Sequence, residues 1–174
     1  MPANEIGVVG LATMGMNLAR NLASHGVRVA VYNRTRQRTD DFMERYAKEG
    51  DFHPAYSFAD LANTLKPPRA LLVMVKAGAP VDESIDSLLE VLGKGDTIID
   101  GGNSFFQDTQ RRAAAVEKLG LGFIGSGVSG GEEGALHGPS LMPGGTRQSY
   151  ERVEDMLTAI AAKVDGVPCC TYIG

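Results

Sequence analysis

Apolar positions in this chain fall into two alternating patterns. Short, mainly apolar runs, Glu5 to Val9, Val27 to Tyr32, Ala70 to Val75, Asp96 to Asp100 and Leu121 to Ile124, have strand length. Such runs suit a parallel sheet covered on both faces. Between them, apolar residues recur at helical spacing: Leu18 and Leu22 with Ala19 and Ala23, Phe42 and Tyr46, then Ile85, Leu88, Leu89 and Leu92, and later Val153, Met156, Leu157 and Ile160. Glycines close several of these stretches, at Gly26, Gly50, Gly93 and Gly95. The alternation predicts an α/β fold, a doubly wound, mainly parallel sheet with helices on both faces. Residues 51–68 read as irregular, broken by His53-Pro54 and Lys66-Pro67-Pro68, with one short capped helix over Ser57 to Leu65. Ser104 is expected to cap a helix reaching Lys118, with Gln107 at its third position.

The first run leads into Gly10-Leu11-Ala12-Thr13-Met14-Gly15, a G-x-A-x-x-G turn between strand and helix. In a dinucleotide fingerprint the first glycine makes the turn, a small second residue lets the backbone approach a pyrophosphate, and the third lets the helix pack on the strand. The helix N-terminus then offers free N–H groups and its positive dipole end to phosphates. This is the signature of a Rossmann-like fold, with Ala12 adding a methyl group where glycine is common. A glycine turn that binds nothing is the alternative.

The end of the second strand selects the cofactor. An acidic residue there serves NAD by bonding the ribose hydroxyls. This chain has Asn33-Arg34-Thr35. Asn33 is neutral, Arg34 can pair with a 2′-phosphate or stack on adenine, and Thr35 can cap the next helix, so the triplet predicts NADP. The competing view is that Arg34, Arg36 and Arg38 form a solvated helix start. Two further loops leave the carboxyl edge of the sheet, where open α/β sheets bind ligands. Val75, Lys76 and Ala77 are candidate cofactor contacts there, and Asn103, in Asp100-Gly101-Gly102-Asn103-Ser104, is a candidate for both cofactor and substrate. The glycine-rich stretch Gly125 to Ala135 reads as a loop whose backbone N–H groups suit carboxylates, phosphates and sugar hydroxyls, with Ser129, Gly130 and Gly131 as substrate-binding candidates.

With 174 residues, 43% of them hydrophobic, the chain has room for one domain and its core. Its net charge of −4 supplies no global basic field for nucleic acid or an anionic membrane. No apolar run approaches the roughly 18 residues of a membrane span, and Met1 to Glu5 lacks the regions of a secretory leader, so a cytoplasmic location is expected. Adjacent Cys169 and Cys170 suit neither a stabilising disulfide nor a zinc site. The three histidines are too far apart to suggest a metal site, so no metal is expected. His25 reads as a helix-end residue, His53 as surface loop, and His137 as lacking an acidic partner.

Taken together, the glycine turn, Asn33-Arg34-Thr35, Asp100 to Ser104 and Gly127 to Gly145 (GVSGGEEGALHGPSLMPGG) closely resemble the 6-phosphogluconate dehydrogenase family, specifically its amino-terminal coenzyme domain. The related β-hydroxyacid dehydrogenases share the glycine turn, the NRT triplet and a V-S-G-G core. They usually carry D-x-S-T and G-T-L-T where this chain has DGGNS and Gly138-Pro139-Ser140-Leu141. The resemblance implies oxidative decarboxylation of 6-phosphogluconate with NADP. It implies coenzyme contacts at Gly10 to Gly15, Asn33 to Thr35, Val75 to Ala77 and Asn103, and substrate contacts at Asn103 and Ser129 to Gly131. It also implies that residues 1–174 are the NADP-binding domain alone. Family members continue past Tyr172-Ile173-Gly174 into a helical domain that supplies the lysine base, the glutamate acid and the homodimer interface, so no catalytic residue and little turnover are expected from this chain. A different acid substrate, or a non-catalytic nucleotide-binding domain, would fit the same local motifs.

Overall fold

A computed structural model describes residues 5–174; Met1 to Asn4, part of the stretch read for a leader, lie outside the described residues. The elements run β1 (Glu5–Val9), α1 (Thr13–Ser24), β2 (Arg28–Tyr32), α2 (Arg36–Tyr46), β3 (Phe52–Ala55), α3 (Phe58–Thr64), β4 (Ala70–Val73), α4 (Ala79–Leu89) and β5 (Thr97–Asp100). They continue as α5 (Phe106–Lys118), β6 (Gly122–Ser129), α6 (Gly131–His137), β7 (Ser140–Gly145), α7 (Arg147–Glu151), α8 (Glu154–Ile160), β8 (Lys163–Val164) and β9 (Val167–Pro168). The main sheet has seven strands in the order β3-β2-β1-β4-β5-β6-β7, all parallel except β7, which pairs antiparallel with β6. The small β8-β9 hairpin stands apart.

The central strands are mainly apolar because alternate side chains feed two cores. Ile6, Val8, Val29, Val31, Leu72, Ile99 and Ile124 point to a core closed by Leu18, Leu22, Phe42, Leu157 and Ile160 of α1, α2 and α8. Their neighbours Val9, Ala30, Leu71, Val73, Ile98 and Phe123 point to a core closed by Leu61, Ile85, Leu88 and Val116 of α3, α4 and α5. The doubly wound sheet read from the sequence is thus the observed one.

Three boundaries differ from the sequence reading. Residues 52–55 are not irregular but form β3, the edge strand beside β2. Pro54 obscured it, since a proline is excluded from a central strand yet fits an edge. The glycine-rich stretch is not a loop over its whole length: β6 runs on through Ser129, pairing Val128 with Leu141 and Ser129 with Ser140. The capping residue of α5 is Phe105, and Ser104 makes a different bond, described below. Ser57 does cap α3, accepting the Asp60 N–H at 3.0 Å.

The chain after β9 returns along β7. Leu141 N–H donates to Cys169 O at 2.8 Å, Thr171 and Ile173 N–H donate to Leu141 O and Pro143 O, and Gly145 N–H donates to Gly174 O. Cys169 and Cys170 are half-buried free thiols in this segment.

Candidate functional site

Strand order reverses at β1 and β4, and a cleft of about 520 Å³ opens above their carboxyl ends. Gly10, with φ +100°, makes the turn out of β1, and its N–H donates to Tyr32 O at 2.9 Å. A Cβ on Gly10 would strike Met74 O, and one on Gly15 would strike Gly10 O, so these two positions of the fingerprint are sterically closed. Ala12 is different: its φ −72° and ψ 175° suit any residue, and its methyl group is exposed at the cleft. The first main-chain bond entering α1 runs from Met16 N–H to Ala12 O. The N–H groups of Thr13, Met14 and Gly15 therefore have no main-chain acceptor among the described residues and are free to meet an anion.

Asn33 ties the selector to this turn. Its Oδ1 accepts the Leu11 N–H at 3.0 Å, and its Nδ2 donates to Thr35 O at 3.2 Å. Thr35 occupies the N-cap position of α2, but its hydroxyl makes no capping bond, contrary to the sequence reading. Arg34 is 87% exposed at the cleft mouth, with Nη1 3.7 Å from Glu83 Oε2 of α4. Arg36 is turned aside, over the Tyr56 ring at 4.3 Å and 3.6 Å from Asp40. Arg38 lines the cleft beside Arg34 and Thr35, and Tyr32, Phe58 and Pro80 give it an apolar wall. Tyr32 and Phe58 rings are 4.6 Å apart, and burial raises the Tyr32 pKa against the opposing pull of Arg34. Sequence reasoning placed Arg38 only in a solvated helix start and did not single out Glu83, because only the fold brings α4 opposite the start of α2.

Val75 and Lys76 line the same cleft, and Ala77 follows on an exposed stretch of that loop. Asn103 does not line it. It borders a second groove of about 490 Å³ between α5 and β6–β7, with Ser104, Gly127 and Met142. Ser104 Oγ donates to Asp100 Oδ2 at 2.6 Å and accepts from Arg112 Nη1 at 3.1 Å. Asp82 receives Arg112 and Arg111 together; hydrogen bonding from Arg112 is the largest cause that holds its carboxyl down at about 2.

Ser129 ends β6, Gly130 caps α6 with φ +129°, and Gly131 is its first residue. All three are exposed and border neither of these two grooves. Asn17 of α1 fixes this corner by donating to Glu132 O at 3.1 Å, and Asn21 donates to Ala135 O and Ile160 O at 3.1 Å.

His25 behaves as read, its Nδ1 lying 2.9 Å from Asn21 O at the end of α1. His53 is in β3 rather than a loop, receiving Arg28 Nε at 2.9 Å. His137 does have an acidic neighbour, Glu133 at 3.6 Å one helical turn back. Among the described residues no cluster of His, Cys, Asp or Glu could hold a metal, and no helix is long and apolar enough to cross a membrane.

Sequence comparison finds the 6-phosphogluconate dehydrogenase, decarboxylating, of Synechococcus elongatus 55% identical over 174 residues, which are all of this chain and 37% of that protein. The NADP(+)-dependent, decarboxylating 6-phosphogluconate dehydrogenase of Bacillus subtilis is 52% identical over the whole chain, again 37% of its own length. Among solved structures, Plasmodium falciparum 6-phosphogluconate dehydrogenase, studied without ligand, with its cofactor NADP+ and with its substrate 6-phosphogluconate, superposes with a TM-score of 0.93 at 42% identity. That match covers 98% of this chain and 37% of the Plasmodium chain. The chain thus spans little more than a third of the length of each of these relatives. The family described as the NAD binding domain of 6-phosphogluconate dehydrogenase matches residues 5–174, and the chain belongs to that family.

Proposed function

We propose that this chain is the NADP-binding domain of a decarboxylating 6-phosphogluconate dehydrogenase. The observation that carries the reading is one cleft that runs from Gly10 and Ala12, at the entry to α1, to Arg34, Thr35 and Arg38. The pyrophosphate belongs at Gly10 to Gly15, where Leu11 N–H is committed to Asn33 and the N–H groups from Ala12 to Gly15 make no main-chain bond among the described residues. The 2′-phosphate belongs with Arg34 and Thr35, whose hydroxyl is unused for capping. Tyr32, Phe58 and Pro80 offer apolar surface to the base, and the nicotinamide end extends past Val75, Lys76 and Ala77 toward Asn103. The substrate contacts are Asn103, Ser129, Gly130 and Gly131.

When bound, the cofactor supplies a hydride acceptor for carbon 3 of 6-phosphogluconate, after which carbon dioxide is lost and ribulose 5-phosphate forms, a step of the pentose phosphate pathway. This chain's own part is to bind, orient and discriminate. The lysine base and glutamate acid belong to a helical catalytic and dimerisation domain outside residues 1–174, and a cytoplasmic homodimer is the form in which the whole enzyme acts. Lys76 is not assigned as the base: it is an exposed loop residue in the cleft that receives the cofactor.

The test is a calorimetric titration of the chain with NADPH and NADH, repeated for Arg34→Asp. NADPH should bind more tightly, and the substitution should remove that preference while leaving NADH binding nearly unchanged. Equal affinity of the unmodified chain for both cofactors would overturn the assignment to NADP. NADPH formation from 6-phosphogluconate by this chain alone, at rates of an ordinary enzyme, would overturn the assignment of the base and acid to another domain.

A further inference from the structure

Arg112 sits within α5 and is only 2% exposed. A guanidinium shut off from water needs acceptors for its five N–H donors, and here each has one. Nε and Nη2 donate to the two oxygens of Asp82 at 2.9 and 3.0 Å. Nη2 donates also to Gly78 O at 3.1 Å, while Nη1 donates to Ser104 Oγ at 3.1 Å and Asp100 Oδ2 at 3.4 Å. Gly78 precedes α4 and Asp82 lies in its first turn, whereas Asp100 and Ser104 bracket the turn from β5 to α5. One buried cation therefore joins two loops at the carboxyl edge.

In the second loop the Asp100 carboxylate accepts the Gly102 N–H at 3.1 Å and the Ser104 hydroxyl at 2.6 Å. These bonds fall on either side of Asn103, whose φ of +57° is left-handed. Side-chain-bearing residues disfavour that conformation, and it persists where the surroundings hold it. Gly102 packs its main chain on the first loop, since a Cβ there would come within 2.7 Å of Val75 O. The Asn103 side chain, by contrast, is exposed and makes no hydrogen bond to any described residue.

We propose that Arg112 is a positioning residue for the ligand-facing edge: by clamping Asp82 and Gly78 to Asp100 and Ser104, it holds Asn103 left-handed with its amide free for the nicotinamide end of the cofactor. The proposal rests on the assignment of Asn103 as a cofactor contact. Arg112 acts only through Asn103. A lysine at this position keeps the charge but cannot span both loops, because its donors radiate from one nitrogen and not from a planar fork.

The experiment is a calorimetric titration of the 174-residue chain with NADP+ and with adenosine 2′,5′-bisphosphate, which carries the 2′-phosphate end but no nicotinamide. It compares the unmodified chain, Asn103→Ala, Arg112→Lys and the double variant. Each single change should weaken NADP+ about fivefold, the size of one lost hydrogen bond, and leave the bisphosphate within about twofold. The double variant should be no weaker than the worse single variant, since both remove one contact. Additive losses, or equal losses for both ligands, overturn the proposal. If Asn103→Ala leaves NADP+ unaffected, the Asn103 assignment fails and takes the proposal with it. If Asn103→Ala weakens NADP+ and Arg112→Lys does not, the proposal alone fails. Should Arg112→Lys not fold by thermal melting, Ser104→Ala decides: selective weakening of NADP+ supports the clamp, and any other pattern overturns it.

Discussion

Asn33 Oδ1 accepts the Leu11 N–H at 3.0 Å although 22 residues separate them in sequence. The residue that replaces the acidic ribose ligand of NAD-binding folds therefore also anchors the glycine turn. Asn33→Ala should weaken NADPH and NADH alike and lower stability by about 1 kcal/mol, the usual net value of such a bond. Denaturant unfolding alongside both titrations checks this; undiminished binding of both would mean that the turn keeps its shape unaided.

Glu83 faces Arg34 across the cleft mouth at 3.7 Å. A 2′-phosphate seated on Arg34 must meet or displace that carboxylate. Glu83→Gln should thus tighten NADP+ by about two- to fivefold, as expected for an exposed pair, with a smaller effect in high salt. NAD+ binding should hardly change. An equal gain for both cofactors would argue against competition at the phosphate.

Two neighbouring positions of the fingerprint should respond in opposite ways. Gly15→Ala drives a methyl group into Gly10 O and should cost about 1–3 kcal/mol, with loss of cofactor binding. Ala12→Gly occupies an N-cap with an ordinary backbone conformation and should be neutral or slightly stabilising. Thermal melts of the two variants, followed by NADPH titration, distinguish them.

Acid should loosen the two-loop clamp through Asp82. Its carboxyl pKa is depressed from 3.8 to about 2, chiefly by the hydrogen bond from Arg112, so the folded state favours the ionised form. The resulting stabilisation is complete above the unfolded value and disappears as pH falls from about 4 toward 2. Asp82→Asn should be less stable than the unmodified chain at neutral pH and lose less between those limits. Unfolding curves across that range measure both; parallel pH profiles would exclude Asp82 as the group involved.

Much of this was legible because it is local. Gly10 to Gly15 and Asn33 to Thr35 each follow a strand whose apolar run is plain, and the first pair of strands places them together. What stayed hidden depends on contacts between distant segments. Ser104 looks like a helix cap beside Gln107, yet the buried partners Asp100 and Arg112 claim its hydroxyl. Arg112, among alanines and charged neighbours, looks like a solvent-facing helix residue. Likewise the glycines of 125–131 suggest a loop until Ser140 to Gly145 is seen paired beside them, and Pro54 hides an edge strand that only its neighbour β2 reveals.

The two outermost strands of the main sheet, β3 and β7, are each blunted as edges, by different means. On the β7 side, Leu141, Pro143 and Gly145 spend their outward main-chain groups on residues 169–174. On the β3 side, Asp51 O accepts the Val29 N–H, so by alternation Pro54 faces outward, where it has no N–H to offer. Neither β3 nor β7 therefore presents an unbroken row of free main-chain groups. An interrupted row of this kind disfavours edge-to-edge pairing at these two strands.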